Sequence, residues 1–322
     1  VLYFILEHLM SESKKDLVLG AVGGYQWEQI DVWALSLVKS GFSGIGAVIV
    51  YDNNKTVINN LKSIGFQVIE MPLRGSVFNQ RFYDFAEVMS GALSDLRYAI
   101  VTDVRDIYFQ TDPTVWLEQN LKPEKQFVAV SEGICFKHEA WNANNAQSGY
   151  PTLAHRIMDK CVYNVGVLAG EADSVSDLCL AIGAMAKSSG FQVADQSGYN
   201  LLLDMPPYKK AAQLVSSEDG FACQAGTFAD PKKIDGFRPH LLEPEPMYTE
   251  DGVKTAGGLL YPIVHQYDRV PTWNAGLRTK LNNRLLADRA ANEAKAAEAT
   301  KPVVEKTVKA KSSKKAVTQR VK

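Results

Sequence analysis

Apolar runs alternating with amphipathic stretches over residues 16–101 leave this chain few ways to fold. Residues 16–22 (DLVLGAV), 45–51 (IGAVIVY), 66–71 and 98–101 read as strands, apolar at successive positions and not only at alternate ones. Between them Ile30, Trp33, Ala34, Leu37 and Val38 recur at helical spacing. So do Val57, Ile58, Leu61 and Ile64, and then Phe78, Phe82, Phe85, Met89, Leu93 and Leu96. Gly41 and Gly65 end the first two helices. Strands apolar on both faces belong in a mostly parallel sheet sandwiched by helices, because neither face can be left in water. The expectation is an α/β fold. Ligands of such sheets sit beyond the carboxyl ends of the strands. That rim gathers Gly23, Gly24, Tyr25, Asp52 and Asp103.

The second half is less regular. Residues 127–130 predict a short strand running into Ser131-Glu132-Gly133, followed by a polar, aromatic loop over 137–150 (KHEAWNANNAQSGY). Residues 162–169 read as one strand. Ser174 opens a helix with Asp177 as capping-box partner, and Val175, Leu178, Cys179, Ile182 and Met185 form its core face. Leu201, Leu202 and Leu203 lie in a short helix after Asp195. Residues 206–258, rich in Pro, Gly and acids, read mostly as loop and short strands. A late strand over 261–267 and a closing helix over 277–286 follow. From about residue 287 the composition turns to Ala, Lys, Glu, Thr and Val, a tail expected to begin helical and finish disordered.

With 322 residues, 46% hydrophobic and 22% charged, the composition is that expected of a soluble globular protein. The net charge of −1 hides an asymmetry. Residues 288–322 hold ten Lys/Arg and four Asp/Glu, a balance of +6, which leaves −7 on residues 1–287. A mildly acidic body argues against specific nucleic-acid binding, while the basic tail could touch an anionic membrane or simply aid solubility. Cys135, Cys161, Cys179 and Cys223 show no CxxC or metal-ligand spacing. Reduced thiols and a cytoplasmic, or membrane-peripheral, site are the expectation. The opening VLYFILEHLM contains Glu7 and His8, is too short to span a bilayer, and reads as a first helix in preference to a truncated anchor.

The densest chemistry lies in residues 98–113, YAIVTDVRDIYFQTDP. An apolar strand runs into Asp103 and Asp106, which flank Arg105. Unpaired buried carboxylates lose their hydration, and a divalent cation is a common partner for them. An ion pair with Arg105 is the plainer alternative. Strand geometry points successive side chains to opposite faces, so these two acids converge only if the backbone bends between them. Asp112 caps a helix opening at Pro113. His265, near the end of a late apolar strand, either completes an oxygen-rich metal site or is a core histidine. Asp195 either caps its helix or points at a sugar ring. Asn164 and Gly166 are turn residues or polar contacts beside a substrate. Arg81 either snorkels at the surface or meets a phosphate or the carboxylates. Glu132, Glu139, Trp141, Asn142 and Asn145 combine an aromatic face with amide donors and acceptors, which suits a sugar as well as it suits ordinary surface. No GxSxG, HExxH or P-loop occurs.

In order along the chain, DVRDIYFQTDP, SEG with the EAWN segment, NVGVLAG, ADQSGYN and HQYDR resemble the metal-dependent nucleotide-sugar glycosyltransferases of the GT-A fold. The likeness is greatest to the glycogenin-like and plant cell-wall branch, and covers about residues 16–270. It implies a single GT-A-like domain over 1–286, with a nucleotide-binding half at about 16–112 and an acceptor and sugar half at about 113–286. A flexible basic tail over 287–322 follows. It implies Mn2+ or Mg2+ held by Asp103, Asp106 and His265, and a nucleoside-diphosphate sugar donor held by Gly23, Tyr25, Asp52, Arg81 and Arg105. Asp195, Gln196 and Asn164 are then the catalytic residues around the transferred sugar. Glu139, Trp141 and Asn142 face a glycan, glycolipid or glycoprotein acceptor. The likeness leans towards retention of configuration, although Asp195 acting as base would give inversion.

One departure from the usual Asp-x-Asp is plain: Arg105 holds the third position, with Asp106 one step later. Either a turn brings Asp106 to the metal, or Arg105 replaces part of the cation by binding diphosphate itself. Two other readings stay open. A sugar-nucleotide pyrophosphorylase lacks support because no Gly-rich, Arg/Lys-bearing loop follows the first strand. A non-catalytic sugar-nucleotide-binding protein would be one in which Arg105 has abolished metal use.

Overall fold

The computed structural model describes residues 14–92 and 95–299. The expectations for residues 1–10, for Leu93 and for the tail beyond 299 lie outside the described residues. Strands β1 (Lys15–Val22), β2 (Ile45–Val50), β3 (Gln67–Glu70) and β4 (Leu96–Thr102) pair in parallel in the order β3-β2-β1-β4. Helices α1 (Trp27–Lys39), α2 (Lys55–Ser63) and α3 (Val77–Ser90) alternate with them in sequence. Asn54 caps α2 by accepting the Val57 amide. Along β1, Leu17, Leu19 and Ala21 enter one apolar cluster with Phe82, Phe85 and Met89 of α3. Val18 and Val22 enter a second with Trp33, Leu37, Val57 and Leu61 of α1 and α2. The strand's two-residue period thus feeds a core on each face, as continuous apolar strands require.

Beyond β4 the pairing turns antiparallel. The chain passes through β5 (Ile107–Phe109) and α4 (Pro113–Asn120), the latter capped by Asp112, which accepts the Thr114 amide at 2.9 Å. It then enters β6 (Phe127–Cys135), α5 (Ala140–Gly149), β7 (Cys161–Tyr163), β8 (Val167–Glu171), α6 (Ala172–Ser189) and α7 (Asp195–Leu203). β8 runs antiparallel to both β4 and β6, and β7 antiparallel to β6. After the short α8 (Tyr208–Ala211), β9 (Ala212–Val215) adds in parallel to β6. The central sheet is therefore mixed. The expected parallel pairing holds across β3-β2-β1-β4 and for β6 with β9, while β8 against β4 and β6, and β7 against β6, are antiparallel.

A second, three-stranded sheet caps the rim. It has β13 (Ile263–His265) between β10 (Ala222–Gln224) and β5. Between β10 and β13 come α9 (Ala225–Phe228), α10 (Ile234–Phe237) and the β11 (Met247–Thr249) and β12 (Gly252–Lys254) hairpin. The chain divides into a compact unit ending at Leu281 and another beginning at Asn282. The final helix, α11 (Pro271–Ala299), has Trp273, Leu277 and Leu281 buried in the first unit. No helix among the described residues is long and apolar enough to cross a membrane.

Several local expectations are corrected. Residues 140–149 are helical, not loop: Glu139 accepts the Asn142 amide at 2.7 Å and so caps α5. The strand expected over 162–169 breaks at Asn164–Gly166, where Asn164 bends back to accept the Gly166 amide. The helix placed at Ser174 begins at Ala172, without the capping box. The stripe assigned to α3 runs too far, since that helix ends at Ser90, Leu96 opens β4 and Phe78 is exposed. The late strand is limited to β13 because Gln266 adopts φ 59°, a left-handed conformation that ends the extended run.

Candidate metal centre

β4 stops at Thr102, whose hydroxyl accepts the Trp33 indole N–H at 2.9 Å. The backbone then leaves strand geometry through residues 103–106. Val104 is driven into the core against Gly20, where a Cβ would lie 2.3 Å from its Cγ1. With Val104 and Ile107 anchoring the bend in apolar surroundings, Asp103 and Asp106 can turn to a common side. The Asp103 amide donates to the Gly166 carbonyl at 2.9 Å, and the Gln266 amide to the Asp106 carbonyl at 2.6 Å. β13 supplies the third group, because its antiparallel register sets His265 opposite Ile107.

Asp103, Asp106 and His265 each offer a ligand atom, and these atoms lie within 4.8 Å of one another. His265 Nε2 stands 3.4 Å from Asp103 Oδ2 and 3.6 Å from Asp106 Oδ1. Neither contact is a hydrogen bond, so this buried nitrogen has no hydrogen-bond partner among the described residues. On the other side of the ring, Nδ1 lies 2.8 Å from Gln224 Oε1, an acceptor that fixes the N–H there and turns Nε2 towards the acids. Gly166 forms the floor. A Cβ at that position would lie 2.6 Å from His265 Cε1, 2.7 Å from Asp103 Oδ2 and 2.9 Å from Asn164 Oδ1. Two carboxylates, one imidazole and a missing Cβ suit a small divalent cation.

The surrounding charges are shared out between the acids. Arg81, buried in α3, pairs through Nη1 with Asp103 and through Nη2 with Asp195 at 3.2 Å. Burial raises the Asp103 carboxyl, but Arg81 and His265 outweigh it and hold the group well below the usual carboxylate range. Burial likewise raises Asp106, and His265 reverses that to a net lowering. Burial opposes charge on His265, yet Asp106 and Asp103 lift it to about 9. For Asp195 the order reverses: burial outweighs Arg81 and the carboxyl is raised. Arg105 takes the rim, 3.1 Å from Asp106 Oδ2 and 3.6 Å from Asp268 Oδ2, with its side chain 41% exposed. Of the two acids that flank it in sequence, it pairs with Asp106 and not with Asp103.

Beside this centre lies a buried amide network around Glu132. Asn164 Nδ2 and Gln196 Nε2 donate to Glu132 Oε1 at 2.7 and 3.0 Å. Asn142 Nδ2 and Thr227 Oγ1 donate to Oε2 at 3.4 and 3.3 Å. Gln196 also donates to Asn142 Oδ1 and accepts the Val165 amide. Burial pushes the Glu132 carboxyl up, against the hydrogen bonds from Asn164 and Gln196.

The sequence-predicted residues therefore fall into three groups. Asp103, Asp106, His265, Arg81, Asp195 and Arg105 form one charged cluster, and Asn164, Gln196 and Asn142 join through Glu132. At the rim, Asp52 accepts the Gly24 amide at 2.7 Å, Gly23 packs against Val77 and Tyr51, and half-buried Tyr25 feels the charges of Arg105 and Asp103. Glu139 caps α5 and pairs with Lys233 at 3.4 Å, while Trp141 is 52% exposed. Asp195 is the first residue of α7, one past its N-cap Ala194, and its Oδ2 pairs with Arg81. Sequence reasoning left Gln224 unnoticed, since one glutamine among apolar residues carries no signal until its strand is placed beside His265. No protein-family model matches the chain, and no curated protein matches it.

Proposed function

We propose that this chain is a GT-A-type glycosyltransferase that moves a sugar from a nucleoside-diphosphate donor to an acceptor hydroxyl with the help of Mn2+ or Mg2+. The observation that carries the reading is the convergence of Asp103, Asp106 and His265 over Gly166 at the carboxyl ends of the strands. That is where open α/β sheets bind ligands. Asp103, Asp106 and His265 would hold the ion, which supplies positive charge opposite a departing diphosphate. Arg105, the exposed cation of the cluster, is placed to pair with diphosphate oxygens in exchange for Asp268. Arg81 is committed to Asp103 and Asp195, so its role is to orient both acids and not to grip the donor. Asp195, buried beside it, offers a carboxylate to the positive character that develops on the sugar ring. Gln196 and Asn164, oriented by Glu132, shape the sugar side. Gly23, Tyr25 and Asp52 hold the nucleoside, and the exposed Trp141 face is left for the acceptor. Cytoplasmic placement and a basic tail complete the proposal.

One observation favours a second reading, a non-catalytic sugar-nucleotide-binding protein: Arg81 and Arg105 already pair with the two aspartates. One experiment separates the readings. Metal-stripped protein is titrated with Mn2+ by electron paramagnetic resonance, then incubated with a panel of UDP- and GDP-sugars. The expected result is Mn2+-dependent release of nucleoside diphosphate, reduced more than about 100-fold by Asp103→Ala together with Mn2+ binding. Nucleotide binding without turnover selects the second reading, and triphosphate-dependent synthesis a pyrophosphorylase. Unaltered Mn2+ affinity and turnover in Asp103→Ala overturn the assignment of the centre.

A further inference from the structure

Away from the metal centre, β6 and β7 bring two cysteines face to face. After the bulge at Gly133, which has φ 64°, the antiparallel register pairs Cys135 with Cys161. The Phe136 amide donates to the Lys160 carbonyl at 3.1 Å, which makes Cys135–Cys161 a non-hydrogen-bonded pair. In such pairs the Cα atoms lie about 4.5 Å apart with both side chains on the same face, inside the range a disulfide spans. Both thiols are half-buried and therefore reachable, unlike those of Cys179 and Cys223. Each leans along the strands away from the other. Cys135 Sγ lies 3.5 Å from the Asp159 carbonyl and Cys161 Sγ 3.0 Å from the Ser131 hydroxyl. A side-chain rotation at each separates them from a bond. Cys161 also lines a cavity of about 310 Å³ with Lys160, Tyr163, Asn200 and Lys209, which gives a small oxidant room to approach.

We propose that Cys135 and Cys161 are an oxidative modification site, closing reversibly into a cross-strand disulfide that staples the base of segment 136–160. That segment carries Glu139 and α5 with Asn142, so the staple braces the side of the amide network opposite α7. Burial pushes the Cys161 thiol up to about 11, which disfavours its thiolate as the first nucleophile. A low-molecular-weight disulfide supplies the oxidising equivalents. The Cys135 thiolate attacks one of its sulfurs, forming a mixed disulfide and releasing one thiolate. Cys161 then attacks the Cys135 sulfur, the mixed S–S bond breaks, and the second leaving thiolate takes the proton that Cys161 gives up. Two protein thiols are oxidised and one small disulfide is reduced to two thiols.

The test equilibrates the whole chain in glutathione buffers of graded reduced-to-oxidised ratio. Alkylation and peptide mapping then follow the thiols, with melting and hydrogen exchange measured at each ratio. The expected result is a linked Cys135–Cys161 peptide at oxidising ratios, reversed by dithiothreitol, while Cys179 and Cys223 stay free. For a closed loop of roughly 25 residues the chain-entropy account gives about 3.5 kcal/mol, which in a unit of this size corresponds to a Tm rise of roughly 6 °C. Hydrogen exchange over 136–160 should slow in parallel. Cys135→Ser and Cys161→Ser, both at partly exposed positions, should melt like the reduced wild type and lose the redox response. A glutathione adduct that persists on Cys135 without closure, or two thiols that remain alkylatable at every ratio, overturns the proposal. None of these outcomes depends on donor or metal.

Discussion

Gly166→Ala is the sharpest probe of the centre, because the structure specifies what the added methyl would strike. Its Cβ would lie 2.6 Å from His265 Cε1 and 2.7 Å from Asp103 Oδ2. Ordinary carbon contacts fall at about 3.5–4.0 Å, so the imidazole must retreat by about 1 Å. It cannot retreat freely, since Nδ1 is tied to Gln224 at 2.8 Å and the ring is fully buried between β10 and β5. Metal–ligand distances tolerate about 0.2 Å, which makes that displacement several times too large for a shared ion. Mn2+ affinity should therefore fall about 10–100-fold, or about 1.4–2.7 kcal/mol. Overpacking should separately cost about 1–3 kcal/mol of folding stability. Calorimetric Mn2+ titration and urea unfolding of the same preparation read both quantities. A suitable control is Gly133→Ala, where φ is 64° and a Cβ would meet Phe228 at 2.2 Å. That variant should lose stability with much less effect on Mn2+. A folded Gly166→Ala protein that binds Mn2+ as tightly as wild type would refute the assignment of Gly166 as the floor of a metal site.

Arg81→Met should cost about 3–5 kcal/mol in urea unfolding, because Asp195 is left buried without its cation; a loss below about 1 kcal/mol would contradict that pairing. Glu132→Gln should cost about 1–3 kcal/mol, since donors aim at both carboxylate oxygens and an amide nitrogen must face one of those sets. Unchanged melting in that variant would show the network to be less tightly specified than its geometry. Lys160, with Arg156 and Lys209, holds Asp204 below its ordinary value of 3.8. Its contribution is present above that pH and lost as pH falls through the depressed pKa. Asp204→Asn should accordingly melt below wild type at neutral pH and converge with it in strong acid; a gap that persists there would point to another cause.

Much of the parallel half was legible in the chain itself. β1, β2 and the stripes of α1 and α2 declare themselves by local periodicity, and the acidic bend after β4 by carboxylates following an apolar run. Those signals depend on neighbours in sequence. The α5 helix was hidden because its face, Asn142, Ala146 and Gly149, is small or polar: Asn142 is buried by the Glu132 network and Ala146 by an apolar cluster with Ile134 and Phe136, so no stripe of large apolar side chains marks it. The break at Asn164–Gly166 was partly legible, since a turn at these two residues was one reading, but the bond that ends the strand, from the Gly166 amide to Asn164, shows only in the structure.

The sequence alone determined that both faces of the early strands must be covered and that acids must stand at their ends, since burial and alternation are properties of short stretches. It also required a backbone bend if Asp103 and Asp106 were to meet. Only the tertiary structure decided which cations those acids keep. Arg81 reaches Asp103 and Asp195 because α3 is clamped against the sheet, and Arg105 is turned outward to Asp268. His265 meets both acids because β13 pairs with β5 in one register, and a shift of one residue would turn it to the other face. Charge pairing and strand register are set by distances in space, and residues far apart in the chain carry no local trace of them.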